Sequence, residues 1–186
     1  MRTGVLVAVI GAVGGLMIPA PAGAQGPSPL AELVDAAAQR LQVADDVAAV
    51  KWQTGGAIED PARVGQQLDK VAADAAGAEL EPDYVRRIFA DQIAATEAAE
   101  HYRFAQWKLD PAAAPAAAPE LAASRARIDG FNQAMLAQIG RRWELLHSPA
   151  CPGELREATR TVSDARQLDE FYRQALLSAT KDYCAG

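Results

Sequence analysis

Apolar residues recur along this chain at steps of three and four, the period of one helix face. Leu33, Ala37, Ala44 and Val47 mark a first helix from about Leu30 to Trp52, started by Ser28-Pro29 and ended by Thr54-Gly55-Gly56. Asp60-Pro61 reads as N-cap and first-turn proline of a second helix, about Pro61 to Ala76, broken at Gly77. Glu81-Pro82-Asp83 opens a third, Pro82 to about Lys108, with Val85, Phe89, Ile93, Phe104 and Trp107 on one face. The segment from Asp110 to Pro119 is proline and alanine, and its prolines forbid a continuous helix. A fourth helix runs from about Glu120 to Leu146, with Leu121, Ile128, Phe131, Met135, Ile139 and Trp143 inward and Ser148-Pro149 as its stop. Cys151 to Cys184 reads as one bent helix or two short ones, with Leu155, Ala158, Val162, Leu168, Phe171, Ala175 and Leu176 as its apolar face. Period-2 alternation is missing and β-branched residues are sparse. The expected fold is all-α, a helical bundle with a C-terminal helical extension.

Polar residues interrupt these apolar stripes. Arg40 and Lys51 continue the series Leu33, Ala37, Ala44 and Val47, so two cations share the inward face of the first helix. They are 11 residues apart, about three turns and roughly 16 Å of rise. Asp60, Arg63 and Gln67 share a face of the second helix. Thr96 and Glu100 follow Val85, Phe89 and Ile93 on the third, and Arg125 lies between Leu121 and Ile128 on the fourth. A buried unpaired cation is costly, so such positions need an anionic partner or a function. Each residue alone has a plainer reading. Arg40 can keep its head in water, Lys51 can snorkel beside Trp52, and Glu100 can pair with Arg103. Arg125 and Arg127 can form a solvated face, Asp60 can be a helix cap, and Thr96 can be a satisfied core threonine. As a set on four helices, they point to an anionic small molecule held inside the bundle.

The first 24 residues carry Arg2, an apolar stretch from Val5 to Ile18, and Ala22-Gly23-Ala24 as a small-x-small cleavage motif. They read as a cleaved signal peptide, with a retained membrane anchor as the alternative, leaving 25–186 as a single helical domain that is secreted or periplasmic. Nothing later is apolar enough to cross a bilayer, so no membrane association is expected after cleavage. The full chain has a net charge of −6, and loss of Arg2 with no acid takes it to −7. That acidity argues against nucleic acid or an anionic membrane as partner. Cys151 and Cys184, the only cysteines, read as a disulfide in an exported chain, against the alternative of two free thiols. His101 and His147 are isolated, and no metal-ligand spacing is present.

In order along the chain, Arg40 and Lys51, then Asp60 and Arg63, then Thr96 and Glu100, then Arg125 resemble the site residues of the all-helical AroQ-class chorismate mutases. The leader, the late cysteine pair and the size resemble the exported gamma-type branch. The resemblance implies rearrangement of chorismate to prephenate, with no metal and no cofactor. It implies that Arg40 and Arg125 clamp substrate carboxylates, with Arg63 near one of them. Lys51 would donate to the ether oxygen whose C–O bond breaks, and Glu100 would face that oxygen from the other side. Thr96 and Gln67 would add hydrogen bonds, and Asp60 would orient the substrate hydroxyl or a neighbouring cation. The intracellular relatives usually carry an amide at the Glu100 position. A homodimer with a site inside each protomer is the further expectation. Two other readings stand beside this one, an isochorismate-pyruvate lyase and a non-catalytic exported helical binding protein. Signal cleavage should leave Gln25 as the first residue of the secreted protein, which N-terminal sequencing reads directly.

Overall fold

The structure is a computed structural model that describes residues 28–184 together with Gly26. The leader expected at 1–24 lies outside the described residues. Among those described there are eight α-helices and no strand. The first predicted helix is two segments, α1 (Ala31–Gln42) and α2 (Ala44–Thr54), joined at Val43. Val43 keeps right-handed helical dihedrals, but its N–H bonds back to the Arg40 carbonyl, a three-residue step. The chain therefore tightens for one turn and then resumes. Ser28 precedes α1 as foreseen, and its hydroxyl accepts from the Leu30 N–H and donates to the Glu154 carbonyl.

Gly55 ends α2 in the left-handed region, at φ 68°, and Gly56 N–H returns to the Lys51 carbonyl. Asp60 caps α3 (Pro61–Gly77) by accepting the Arg63 N–H at 3.0 Å, with Pro61 in the first turn. The longest helix, α4 (Pro82–Leu109), also starts on a proline. The proline-alanine link holds one short 3-10 turn, Pro111–Ala113, and is otherwise irregular. The predicted fourth helix breaks once more than expected, into α5 (Leu121–Arg141) and the single turn α6 (Trp143–Leu146). The break falls at Arg142, just after Gly140, whose weak helix preference lowers the cost of stopping there. The last stretch is two helices, α7 (Cys151–Ala165) and α8 (Glu170–Ala179), the latter capped by Asp169.

The core lies where α1, α4, α5 and the C-terminal pair meet. Leu33, Val34 and Leu41 from α1 pack with Val85, Ile88 and Phe89 from α4, Met135 and Ile139 from α5, and Tyr172 and Leu176 from α8. A second cluster, Ala48, Ala49 and Trp107 with Trp52 and Phe104, closes the far end of the bundle under the proline-alanine link. The helix α4 is the spine, contacting α1, α2, α3 and α8.

The C-terminal pair clamps three other helices. Arg166 holds Asp35 of α1 through two bonds, one of 2.6 Å. Tyr172 donates to Asp45 of α2, which also takes a bidentate pair from Arg103 of α4 at 2.6 and 2.9 Å. Lys181 pairs with Asp91 of α4 at 2.7 Å, and the Tyr84 hydroxyl donates to the Tyr183 carbonyl. Cys151 and Cys184 are joined as a disulfide across a sequence separation of 33. Reduction should therefore lower stability by about 3–4 kcal/mol. Chemical unfolding followed with and without reductant measures it, and a coincident pair of curves would mean that the clamp rests on its ion pairs alone.

Candidate active site

A cleft of about 310 Å³ opens between α1, α2, α3, α4 and α5. Its lining includes Arg40, Lys51, Asp60, Arg63, Gln67, Thr96, Glu100 and Arg125, the eight residues that the helical spacing singles out. Val47, Val50, Ile58, Val64, Ile93, Leu121 and Ile128 supply apolar walls. Four cations thus share one concave space with apolar surroundings.

Arg40 is the deepest of them, only 4 % exposed. Its Nε donates to Asn132 Oδ1 at 2.7 Å, and one terminal nitrogen donates to Thr96 Oγ1 at 3.0 Å and the Gln92 carbonyl at 3.4 Å. All three acceptors are neutral. Burial without a carboxylate pulls the Arg40 pKa down to about 10, a pull that distant Tyr183 and Asp129 only partly offset. The guanidinium still carries its charge at neutral pH, and an arriving anion would relieve the desolvation. Thr96 passes its own proton back to the Gln92 carbonyl at 2.7 Å, so its oxygen is free to accept from Arg40.

Lys51 is half-buried, with Nζ 2.7 Å from Glu100 Oε2 and 2.8 Å from the Ile58 carbonyl. It therefore ties the α2–α3 loop to α4. Glu100 is 4 % exposed. Two effects oppose one another at its carboxyl: burial pushes the pKa up, and Lys51 pulls it down. Burial is the larger, and Glu97 adds to it, so the Glu100 pKa is raised. The alternative partner, Arg103, is instead committed to Asp45 and Gln106.

Arg63 is half-buried and Arg125 is exposed. Among the described residues neither forms an ion pair with a carboxylate. The expectation that Arg125 sits on an inward stripe needs adjusting. The buried positions of α5 are Ser124, Asn132, Met135 and Ile139, and Arg125 is rotated about 100° from Ser124. It borders the mouth of the cleft, with Leu121 and Ile128 half-buried on either side. Asp60 is both the helix cap and a cleft residue. Asn132, Gln92, Glu97 and the Ile58 carbonyl belong to the site as well; Asn132 lies between Ile128 and Met135 and Gln92 between Phe89 and Thr96 at steps of three and four, whereas the Ile58 carbonyl carries no periodic signal. Buried Asn and Gln among polar helix neighbours are marked only by counting from Met135 or Phe89. Among the described residues no group of three or more His, Cys, Asp or Glu side chains is placed to hold a metal ion.

The family model for type II chorismate mutases matches residues 31–101. A secreted chorismate mutase of Mycobacterium tuberculosis is 51% identical over 181 residues, 97% of this chain and 89% of that protein. The chain belongs to the chorismate mutase family. A second secreted chorismate mutase, from Mycolicibacterium smegmatis, is 54% identical over 84% of this chain and 87% of its own length. Crystal structures of two Burkholderia chorismate mutases superpose closely. The one from B. phymatum has a TM-score of 0.81 at 27% identity, covering 87% of this chain and 100% of that one. The one from B. thailandensis has a TM-score of 0.80 at 32% identity, covering 84% and 99%. The family model spans α1 to most of α4, which carry seven of the eight singled-out residues; Arg125 comes from α5 beyond it.

Proposed function

We propose that this chain is an exported chorismate mutase that converts chorismate to prephenate in a cleft built wholly within one protomer. The observation that carries this reading is that three of the cleft's four cations form no ion pair among the described residues, although Asp60 and Glu97 also line it. Arg40, Arg63 and Arg125 converge without carboxylate partners beside one Lys51–Glu100 pair. A substrate with two carboxylates supplies the missing anions. The rearrangement is pericyclic, so no covalent intermediate has to be stabilised. What the protein can supply is the folded, chair-like conformation of the substrate and charge placed where the C–O bond breaks.

In this mechanism Arg40 and Arg125 hold the two carboxylates, with Arg63 beside one of them. Arg40 cannot swing, because Asn132, Thr96 and the Gln92 carbonyl fix three of its bonds. Lys51 donates to the ether oxygen, an interaction that strengthens as negative charge builds there. Glu100, already 2.7 Å from Lys51, faces the same oxygen. A carboxylate has no proton to donate, whereas the acid does. Burial raises the Glu100 pKa, and a bound dianion adds to that push. Asp60 orients the substrate hydroxyl or Arg63, and Thr96 and Gln67 complete the polar lining. Export rests on the leader motif and on the shared descent from relatives named as secreted. A homodimer is part of the same proposal, with each complete site contributed by a single chain.

Lys51→Ala or Arg40→Ala should each lower kcat/KM by about 10²-fold or more, the scale of losing one preorganised donor. The assay is loss of chorismate absorbance with prephenate identified as product; near-normal turnover in both variants would sink these assignments. Prephenate rather than pyruvate as product also separates mutase from lyase. For Glu100 the sign follows from its protonation. The acid is present below the raised pKa and lost above it, so wild-type activity should fall as pH rises through that value. Glu100→Gln keeps a donor at every pH and should flatten this alkaline limb, whereas a variant dead at all pH values would exclude donation by a neutral group.

A further inference from the structure

Asn132 is buried on α5, between two of the cleft's polar side chains. Its amide oxygen accepts the Arg40 Nε–H at 2.7 Å, and its NH2 donates to Gln67 Oε1 at 3.5 Å. These directions are dictated by chemistry. A guanidinium N–H can only donate, so the Asn132 oxygen must face Arg40. The Asn132 NH2 then faces Gln67 and can be met only by the Gln67 oxygen. Gln67 lines the cleft and is left with its own NH2 for whatever binds there. The anchor is also neutral, so Arg40 is held without its charge being cancelled. An aspartate in the same place would hold Arg40 at least as firmly and neutralise it.

We propose that Asn132 is a positioning residue that sets the polarity of the cleft, keeping Arg40 fixed without a counter-charge while turning the Gln67 donor toward bound substrate. The proposal rests on the mutase reading and adds a residue to it. Asn132→Asp separates polarity from packing. The introduced carboxylate is nearly isosteric and can only accept. Around it stand Arg40 from α1, Gln67 from α3, Thr96 and the Gln92 carbonyl from α4, and Asp129 a turn earlier on α5. At neutral pH it pairs with Arg40 and forces the Gln67 NH2 to turn away from the cleft.

The expected result is a thermal midpoint at or above that of the wild type, with KM for chorismate raised about tenfold or more and kcat changed less. Asn132→Ala, which loses both bonds, should lower the midpoint and raise KM together. A purely structural role predicts the same order of midpoints but a KM in Asn132→Asp close to that of the wild type. An unchanged KM in Asn132→Asp, or a KM that rises only in step with a lost midpoint, would overturn the proposal. The wild type run in parallel keeps the two readings apart. If it binds chorismate without converting it, the mutase reading fails, and calorimetric affinities of the three proteins for chorismate still decide the role of Asn132. If it neither binds nor converts chorismate, both fall.

Discussion

A guanidinium taken out of water and given no carboxylate is the constraint on which this bundle depends. Arg40 bonds only to neutral oxygens, from α4 and α5, while itself belonging to α1. Desolvating a charge in this way is costly, and it is tolerable only if every donor is met at good geometry. Sliding any one of the three helices by a fraction of a turn would orphan a donor beside a fixed charge. The same unpaired charge is what the proposed dianionic substrate would meet. Lys51 and Glu100 are the complementary case, a half-buried cation and a buried carboxyl that already satisfy one another.

Holding three helices in register falls largely to groups that never approach the cleft. Asp35, Asp45 and Asp91 each anchor the C-terminal extension at a different helix, through Arg166, Tyr172 and Lys181. None of the three lines the cleft. The disulfide closes the same clamp at Cys151, a buried core residue that begins the helix packed on α1. Rigid support around a preorganised constellation is what orientation-driven catalysis needs, since it gains its rate from geometry rather than from reactive groups.

Much of this was legible in the residues because a helix converts spacing into direction. Arg40 and Lys51 stood out as charges on an apolar stripe, and Thr96 and Glu100 as polar steps after Val85, Phe89 and Ile93. The plain readings were right in places: Asp60 does cap a helix, and Arg125 does face solvent. Other features left little trace. The tightening at Val43 involves neither proline nor glycine. Asn132 did lie on the apolar stripe of its helix, between Ile128 and Met135, but a lone amide there does not say which side chain it anchors until its neighbours are placed. The Ile58 carbonyl could not be foreseen at all, since backbone groups have no sequence identity.

The reach of the C-terminal clamp has a consequence for how the chain folds. Ser28 contacts Glu154 and Asp35 contacts Arg166, separations of 126 and 131 residues. The apolar stripe of α1 therefore has no final cover until the end of the chain has been made. Such long loops are slow to close, so the nascent N-terminal half stays open while the rest is synthesised. The fold is complete only once the last helices are there to cover α1 and Cys184 is there to pair with Cys151.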